Sequence, residues 1–254
     1  MIAEFDGPRT AIVTGGAKRI GAQLCRALAA DGWHLLIHYR NSAAEARALA
    51  EELGNARIVS AELAEAAAAG TIMAALEELP PPLLLVNSAS RFEFDSADTF
   101  TAEEWELNQA VNVRAPALLS QAFAKRAGEE GGLIVNLLDA KLAAPNPDFF
   151  SYTVSKMALA GMTELCARAW AARGIRVCGI APSITLLSGP QSRDNFDAVH
   201  TLNALRRGVD VAEIVAALRF IIATPTMTGQ VITLDAGQRF LGLARDVQFL
   251  EIEQ

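Results

Sequence analysis

Two side chains capable of acid–base chemistry, Tyr152 and Lys156, lie four residues apart in the sequence. Periodic apolar residues predict one helix over residues 151–172, so both side chains project from the same helical face. A phenol with a pKa of about 10 is a poor acid–base group at neutral pH. A nearby ammonium stabilises the phenolate and lowers that pKa. The spacing therefore predicts a proton-transfer pair; the alternative is a surface Tyr–Lys pair without a chemical role.

A carboxylic acid, Asp139, directly follows a predicted buried strand over residues 133–138. An ionised carboxylate repels a carbonyl oxygen that gains negative charge, so this residue opposes carbonyl reduction. The same carboxyl can hold or relay the proton that a C=N nitrogen must gain when hydride adds to its carbon. Asp139 therefore favours an imine-like heterocycle as substrate. The alternative is a drifted residue in an inactive protein.

A glycine-containing turn connects a predicted strand to a predicted helix and has the sequence Thr14-Gly15-Gly16-Ala17-Lys18-Arg19-Ile20-Gly21. Such a turn lets backbone N–H groups approach a pyrophosphate at a helix N-terminus, where the helix dipole favours anions. The adjacent cations Lys18 and Arg19 favour phosphate as well. A dinucleotide is the predicted ligand; the alternative is a tight β–α turn that needs glycine only for its backbone angles.

The end of the second predicted strand distinguishes the two nicotinamide dinucleotides. A carboxylate there binds a ribose 2′-hydroxyl and indicates NAD. Here Arg40, Asn41 and Ser42 follow the strand, and no carboxylate comes before Glu45. These donors suit a 2′-phosphate, so the sequence predicts NADP(H). The alternative is that Arg40 is a solvated loop charge.

Apolar strands alternate with helical patterns along the whole chain. Strands are predicted over residues 10–14, 34–39, 57–61, 83–87, 133–138, 176–181 and 231–234, and helices over 19–31, 42–53, 66–78, 101–127, 151–172 and 211–222. This alternation predicts an α/β fold, a single Rossmann-type doubly wound parallel sheet of about seven strands with helices on both faces. We expect one domain over residues 1–254, with ligands at the carboxyl ends of the strands.

The composition narrows the classes of partner. The 254 residues carry a net charge of −7 and are 52% hydrophobic. An acidic chain is unsuited to nucleic acid or to an anionic membrane. The three histidines and three cysteines show no metal-ligand spacing, so no metal is expected. No signal peptide or membrane span is visible, and we expect a cytoplasmic protein.

These motifs together resemble those of the short-chain dehydrogenase/reductase family over about residues 9–240. The Gly15–Gly21 turn is similar to the family pattern TGxxxGxG, with Arg19 in place of the middle glycine, and Tyr152 and Lys156 match the family's Tyr-x-x-x-Lys. Asp139 stands where the family usually has serine. Lys18-Arg19, the Arg40–Ser42 phosphate site, Ser90 with Phe92, and Asp139 resemble the pteridine reductase branch.

The resemblance implies roles for individual residues. It places Asn112 with Asp139, Tyr152 and Lys156 in catalysis, as support for a water relay to Lys156. It implies that Phe92 stacks on a pterin lying against the nicotinamide, and that Ser90, Asp139 and Tyr152 contact the pterin. Besides Tyr152 and Lys156, the expected cofactor-binding residues follow the strands: Gly15, Lys18, Arg19, Ile20, Gly21, His38, Tyr39, Arg40, Asn41, Ser42, Glu62, Leu63, Asn87, Ser88, Ala89, Ser90, Leu137, Pro182, Ser183 and Ile184.

The function predicted from these observations is NADPH-dependent reduction of a pterin C=N bond, in a dihydropterin or dihydrofolate. Two alternatives stay open: a carbonyl reductase of the 3-oxoacyl thioester or sugar type, and an NADP-binding regulatory protein without catalysis. Residues 186–207 are the expected substrate lid, irregular around Gly189-Pro190. Similar proteins imply a homotetramer built through the two long helices.

Overall fold

A seven-stranded parallel sheet forms the centre of the computed structural model, which describes residues 7–128, 131–188 and 191–250. The strands are β1 (Thr10–Val13), β2 (His34–Tyr39), β3 (Ala56–Ser60), β4 (Pro82–Asn87), β5 (Gly132–Leu137), β6 (Ile175–Pro182) and β7 (Val231–Leu234). Their order in the sheet is β3-β2-β1-β4-β5-β6-β7. Strands β2 and β3 lie on one side of β1, and strands β4 to β7 lie on the other. Such folds bind ligands at this change in strand order, between β1 and β4.

Helices cover both faces of this sheet, as predicted. They are α1 (Arg19–Ala30), α2 (Ala43–Leu53), α3 (Ala68–Ala74), α4 (Ala102–Gln109), α5 (Ala115–Arg126), α6 (Phe150–Trp170), α7 (Arg193–Val199) and α8 (Val211–Ala223). Alternate residues of each strand enter two separate cores. On one face Val13 packs with Leu24 of α1 and Leu218 of α8; on the other, Ile12 packs with Phe123 of α5. The prediction of a Rossmann-type fold is confirmed.

The helix predicted over residues 101–127 is interrupted. A π-helical turn, Ala110–Arg114, separates α4 from α5. Pro116 lies in the first turn of α5, and in a continuous α-helix its ring would collide with the carbonyl of Asn112, four residues earlier. The wider π turn gives that carbonyl room, and such turns are frequent at functional sites. Thr101 caps α4 by accepting a hydrogen bond from the Glu104 N–H, and the Glu104 side chain pairs with Arg91.

The predicted lid is more ordered than its sequence indicated. Helix α7 was not predicted, and it begins after Ser192, whose hydroxyl accepts a hydrogen bond from the backbone N–H of Asn195. The Gly189-Pro190 pair falls outside the described residues.

The helix predicted over residues 66–78 is shorter than expected, since α3 covers Ala68–Ala74. Within the described ranges, no helix combines the length and the apolar character needed to cross a membrane.

Candidate active site

One cleft of about 780 Å³ lies along the carboxyl ends of the strands. It collects nearly all of the predicted site residues, although they come from segments far apart in the chain. Within the described chain, Asn87 and Asn112 are the predicted residues that do not line it. Those that do are Gly15, Lys18, Arg19, Ile20, Gly21, His38, Tyr39, Arg40, Asn41, Ser42, Glu62, Leu63, Ser88, Ala89, Ser90, Phe92, Leu137, Asp139, Tyr152, Lys156, Pro182, Ser183 and Ile184.

The turn after β1 is closely packed against the end of β4. Gly15 has a left-handed backbone with φ 62°, and a Cβ there would lie 3.0 Å from the Cα of Ala89. A Cβ on Gly21 would collide with the carbonyl oxygen of Gly15. Thr14 fixes the same junction, since its hydroxyl accepts hydrogen bonds from the N–H groups of Ser88 and Ala89. Glycine at these two positions keeps the backbone open to a ligand at the N-terminus of α1.

His38 forms hydrogen bonds to the glycine-containing turn after β1 and to the loop after β3. Its Nδ1 accepts a hydrogen bond from the Gly15 N–H at 3.1 Å, and its Nε2 lies 3.0 Å from the carbonyl oxygen of Ala61. These contacts require the neutral tautomer with hydrogen on Nε2. Burial lowers the pKa of His38, against the hydrogen bond to Ala61 and the charge of Glu62, which raise it. A neutral imidazole therefore connects the phosphate turn to the loop after β3.

Arg19 occupies a strained backbone position. It has φ 53°, in the left-handed region that glycine adopts without cost. Its guanidinium donates hydrogen bonds to the lid, at 2.6 Å to the carbonyl of Leu187 and 3.5 Å to that of Leu186. Arg19 therefore joins the phosphate turn to the lid.

The other predicted phosphate-binding cations have acidic partners. Lys18 Nζ lies 2.5 Å from Glu45, and Arg40 lies 3.8 Å from Glu62. The sequence did not predict these ion pairs, because the partners lie more than twenty residues apart. All four side chains are at least one-third exposed, so these ion pairs are weak and leave the cations available to a phosphate.

Tyr152 and Asp139 form the shortest contact among the predicted catalytic groups. The Tyr152 hydroxyl donates to Asp139 Oδ2 at 2.7 Å, and Asp139 Oδ1 accepts from the Lys141 N–H at 2.8 Å. Lys156 Nζ donates to the carbonyl of Leu137 at 2.7 Å and lies 5.7 Å from the centre of the Tyr152 ring. Tyr152 and Lys156 are buried, while Asp139 is partly exposed to the cleft.

The protonation of these groups follows from their burial. Burial raises the pKa of Asp139, although the hydrogen bonds from Tyr152 and Lys141 and the two lysine charges oppose the rise. Burial, and then the Asp139 carboxyl, raise the pKa of Tyr152 well above its usual value. Burial lowers the pKa of Lys156 to about 8, against the charge of Asp139. The expected lowering of the Tyr152 pKa is therefore wrong for the protein alone, because burial and then the neighbouring Asp139 carboxyl both disfavour the phenolate.

Phe92 lies in an aromatic cluster beside these groups. It stacks on Phe149, with ring centres 4.2 Å apart, and meets Tyr152 edge-on at 4.7 Å. One face of Phe92 is therefore covered by protein. Phe149 has φ 54°, a strained value for an aromatic residue. No sequence motif marks Phe149, because its role depends on this folded contact.

Comparisons with known proteins agree with this geometry. The sequence pattern described as short chain dehydrogenase matches residues 9–195, more than half of the chain. This chain belongs to the short chain dehydrogenase family. It is an oxidoreductase, and the predicted family and enzyme class are confirmed.

Individual relatives of this dehydrogenase differ in substrate. The crystal structure of FolM alternative dihydrofolate reductase 1 from Brucella canis, complexed with NADP, is 35% identical, covers 94% of this chain and 96% of that chain, and has a TM-score of 0.88. Galactitol 2-dehydrogenase (L-tagatose-forming) from Cereibacter sphaeroides is 35% identical over 93% of this chain and 96% of the relative. Pteridine reductase 1 from Leishmania tarentolae is 31% identical over 70% and 76%, respectively.

Two of the predicted site residues, Asn112 and Asn87, do not line the cleft but form hydrogen bonds next to it. Asn112 Oδ1 accepts from the N–H of Arg91 at 2.8 Å, while its Nδ2 donates to the carbonyl of Arg91 and to the hydroxyl of Ser155. Asn112 therefore joins the loop after β4 to α6. Asn87 Nδ2 donates to Asn136 Oδ1 at 2.8 Å, because the strand register places these two residues side by side.

Part of the cleft is formed by residues that no sequence motif indicated. Leu243, Asp246, Val247 and Gln248 line it from the C-terminal end of the chain, beyond the residues that the family pattern matches. No motif marks this segment. Lys141, which follows Asp139 closely, was also not singled out; its position two residues after a candidate catalytic acid was an available signal.

Proposed function

We propose that this dehydrogenase reduces the C=N bond of a dihydropterin or dihydrofolate, using NADPH. The observation that carries the proposal is the hydrogen bond between Tyr152 and Asp139, at 2.7 Å on the floor of the cleft. Burial raises the pKa of this carboxyl, which favours its protonated form. A protonated carboxyl beside the reacting bond can donate to a ring nitrogen.

The cofactor fits the cleft. The family and the NADP-bound structures confirm the predicted NADP(H). The close approach of Gly15 to Ala89 and of Gly21 to Gly15 leaves backbone where a side chain would exclude a pyrophosphate. Arg40, Asn41 and Ser42 would hold the 2′-phosphate, and Lys156 the nicotinamide ribose. When bound, the cofactor supplies the hydride.

Side chains of the protein would supply the proton that the C=N nitrogen takes up. As hydride adds to the carbon of C=N, its nitrogen gains a lone pair and takes one proton, leaving a CH–NH single bond. Asp139 holds this proton, with Lys141 N–H and Tyr152 bonded to its two oxygens. The Tyr152 hydroxyl stabilises the Asp139 anion that remains, with Lys156 supplying the nearby positive charge, and water that reaches the partly exposed Asp139 restores its proton.

Substrate binding would use the aromatic edge of the cleft. Phe92 lines the cleft and is held rigid by Phe149 and Tyr152. A rigid aromatic group favours a flat heterocycle over a flexible chain. Ser90 lines the same loop and offers a hydroxyl to the polar edge of such a ring. FolM and pteridine reductase 1 among the relatives support this substrate class.

A second candidate function is oxidation of a polyol. It is favoured by similarity to galactitol 2-dehydrogenase, and to D-threitol dehydrogenase from Mycolicibacterium smegmatis, which is 31% identical. Asp139 argues against it, because oxidation of an alcohol needs a group that takes up the hydroxyl proton, and burial favours a form of Asp139 that already carries one.

The test is NADPH oxidation with a panel of dihydropterins, dihydrofolate and β-ketoesters, run beside NADP⁺ reduction with galactitol and threitol. We expect turnover of dihydropterin or dihydrofolate at least a hundredfold above the other classes in kcat/KM, about 2.7 kcal/mol in transition-state binding. A higher kcat/KM for polyols or β-ketoesters would overturn the proposal and leave the cofactor site intact.

A homotetramer in the cytoplasm is also part of the proposal. Met157 and Leu165 of α6 are 44% and 68% exposed, which suits a helix that packs against another subunit. Light scattering at micromolar concentration should give four times the mass of one chain, and a monomer would contradict this assembly.

A further inference from the structure

The C-terminal segment, residues 243–250, crosses back to the loop that carries Asp139. We call this segment the C-terminal strap. It is attached to residues 139–149 at several points and contributes Asp246, Val247 and Gln248 to the cleft. The strap lies outside residues 9–195, so the shared family pattern says nothing of it.

An ion pair in which one Arg245 nitrogen contacts both oxygens of Asp148 forms the main attachment. Arg245 Nε lies 3.0 and 2.8 Å from the two carboxylate oxygens of Asp148, and the Asp246 N–H donates to one of them at 2.7 Å. Burial disfavours the Asp148 anion, but the bonds from Arg245 and the Asp246 N–H prevail and lower its pKa. Because Asp148 is 4% exposed, removal of Arg245 leaves a buried carboxylate without its cation.

A second attachment connects the strap to the catalytic carboxyl. Lys141 Nζ donates to Asp246 Oδ2 at 3.2 Å and to the carbonyl of Asp148 at 2.6 Å. The backbone N–H of Lys141 donates to Asp139. One residue therefore contacts the strap with its side chain and the catalytic acid with its backbone.

The strap also extends the aromatic cluster. The Phe249 ring lies 5.8 Å from Phe149, nearly parallel, and 4.9 Å edge-on from Phe94. Phe149 in turn stacks on Phe92 in the cleft. On the lid side, Gln248 Nε2 donates to Ser188 Oγ at 3.4 Å. The strap thus spans from the aromatic cluster to the lid.

We propose that the C-terminal strap is the specificity-determining wall of the substrate cleft. By fixing Phe249 behind Phe149 and joining the lid through Gln248, it confines the cleft to flat ring substrates. Gln248 offers an amide donor and acceptor to their polar edge. The assignment of a heterocycle rests on the proposed function, whereas the strap as a wall does not.

Two variants of the full chain test the strap: Arg245→Ala, and truncation after Gly242. We expect KM for dihydropterin to rise at least tenfold, kcat to fall less than threefold, and NADPH affinity by fluorescence titration to change less than twofold. Hydrogen exchange over residues 139–149 should increase in both. Arg245→Lys should recover part of the KM. The matched control is Arg219→Ala, which breaks another Arg–Asp ion pair, with Asp31, away from the cleft.

Unchanged KM with unchanged exchange would overturn the proposal, as would an equal loss of NADPH and substrate binding. If the wild type does not reduce pterins, the proposed function is wrong and the strap proposal is unaffected. The same KM comparison is then made with the best substrate in the panel, and the strap proposal still requires a KM rise and faster exchange over residues 139–149.

Discussion

Tyr152 donates its hydroxyl hydrogen to Asp139 across 2.7 Å, and this bond joins helix α6 to the loop after β5. Two acids share one site here, so neither ionises as freely as it does in water. Burial raises the pKa of both groups, and the Asp139 carboxyl raises that of Tyr152 further. Both shifts favour the protonated forms of the two groups, which suits a site that adds a proton to nitrogen during reduction.

Replacement of Asp139 separates the proposed reaction from carbonyl reduction. Asp139→Ala should lower kcat for dihydropterin at least a hundredfold, the usual contribution of a general acid. Asp139→Ser should not restore this activity but should increase kcat/KM for β-ketoesters, since a serine hydroxyl donates to a developing oxyanion. Steady-state kinetics on both substrates measure this. Normal dihydropterin turnover by Asp139→Ala would rule out a role for this carboxyl.

The rate should fall as pH rises. Asp139 has a raised pKa, so the protonated donor is present below that pKa and lost above it. The pKa of Lys156 is lowered to about 8, so its positive charge is also lost as pH rises through that value. A pH profile of kcat/KM should show both losses in the wild type. Asp139→Asn should remove the loss that Asp139 causes and move the Lys156 loss below pH 8, because the Asp139 charge raises the pKa of Lys156. A rate that increases with pH would contradict the assignment.

Tyr152 and Lys156 should differ in their effects on cofactor binding. Tyr152→Phe removes the phenolic proton alone, so most turnover should vanish while NADPH affinity stays within twofold. Lys156→Ala should weaken both turnover and NADPH binding, because Lys156 is proposed to hold the nicotinamide ribose. Fluorescence titration and single-turnover kinetics separate the two effects. Near-normal turnover by Tyr152→Phe would exclude its proposed role.

Arg40 should determine the preference for NADPH. We expect NADPH to bind at least tenfold better than NADH, about 1.4 kcal/mol, through a charge-assisted contact with the 2′-phosphate. Arg40→Asp should reduce or reverse this ratio. Arg219→Asp is the matched control: Arg219 is exposed, pairs with Asp31 and does not line the cleft, so NADPH binding should not change. Equal titration curves for the two cofactors with the wild type would contradict this prediction.

Arg176 should stabilise the fold without affecting the chemistry. It is 9% exposed, and its guanidinium donates to the carbonyls of Ile221, Thr224 and Met227 at 3.0 to 3.1 Å. Arg176→Met should lower the free energy of unfolding by roughly 2–3 kcal/mol, because it leaves buried carbonyls without donors. Urea denaturation measures this. An exposed-arginine control, Arg219→Met, should change stability by much less.

Local sequence patterns determined most of the fold. The patterns of apolar residues predicted all seven strands. The five inner strands are buried on both faces, whereas the edge strands β3 and β7 are partly exposed. Motifs at strand ends predicted nearly all of the cleft, since parallel strands bring their carboxyl ends to one edge. These features depend on neighbouring residues and on one general property of parallel sheets.

Tertiary structure alone decided how the site residues pair. Glu62 meets Arg40, Asn112 faces Arg91, and the strap reaches Asp148 only after the chain folds, because these contacts connect residues far apart in the sequence. The protonation of Asp139 and Tyr152 depends on the same packing, since burial and a partner at hydrogen-bond distance set a pKa. A sequence specifies the residue types of such a site, whereas their distances and exposure to water belong to the folded chain.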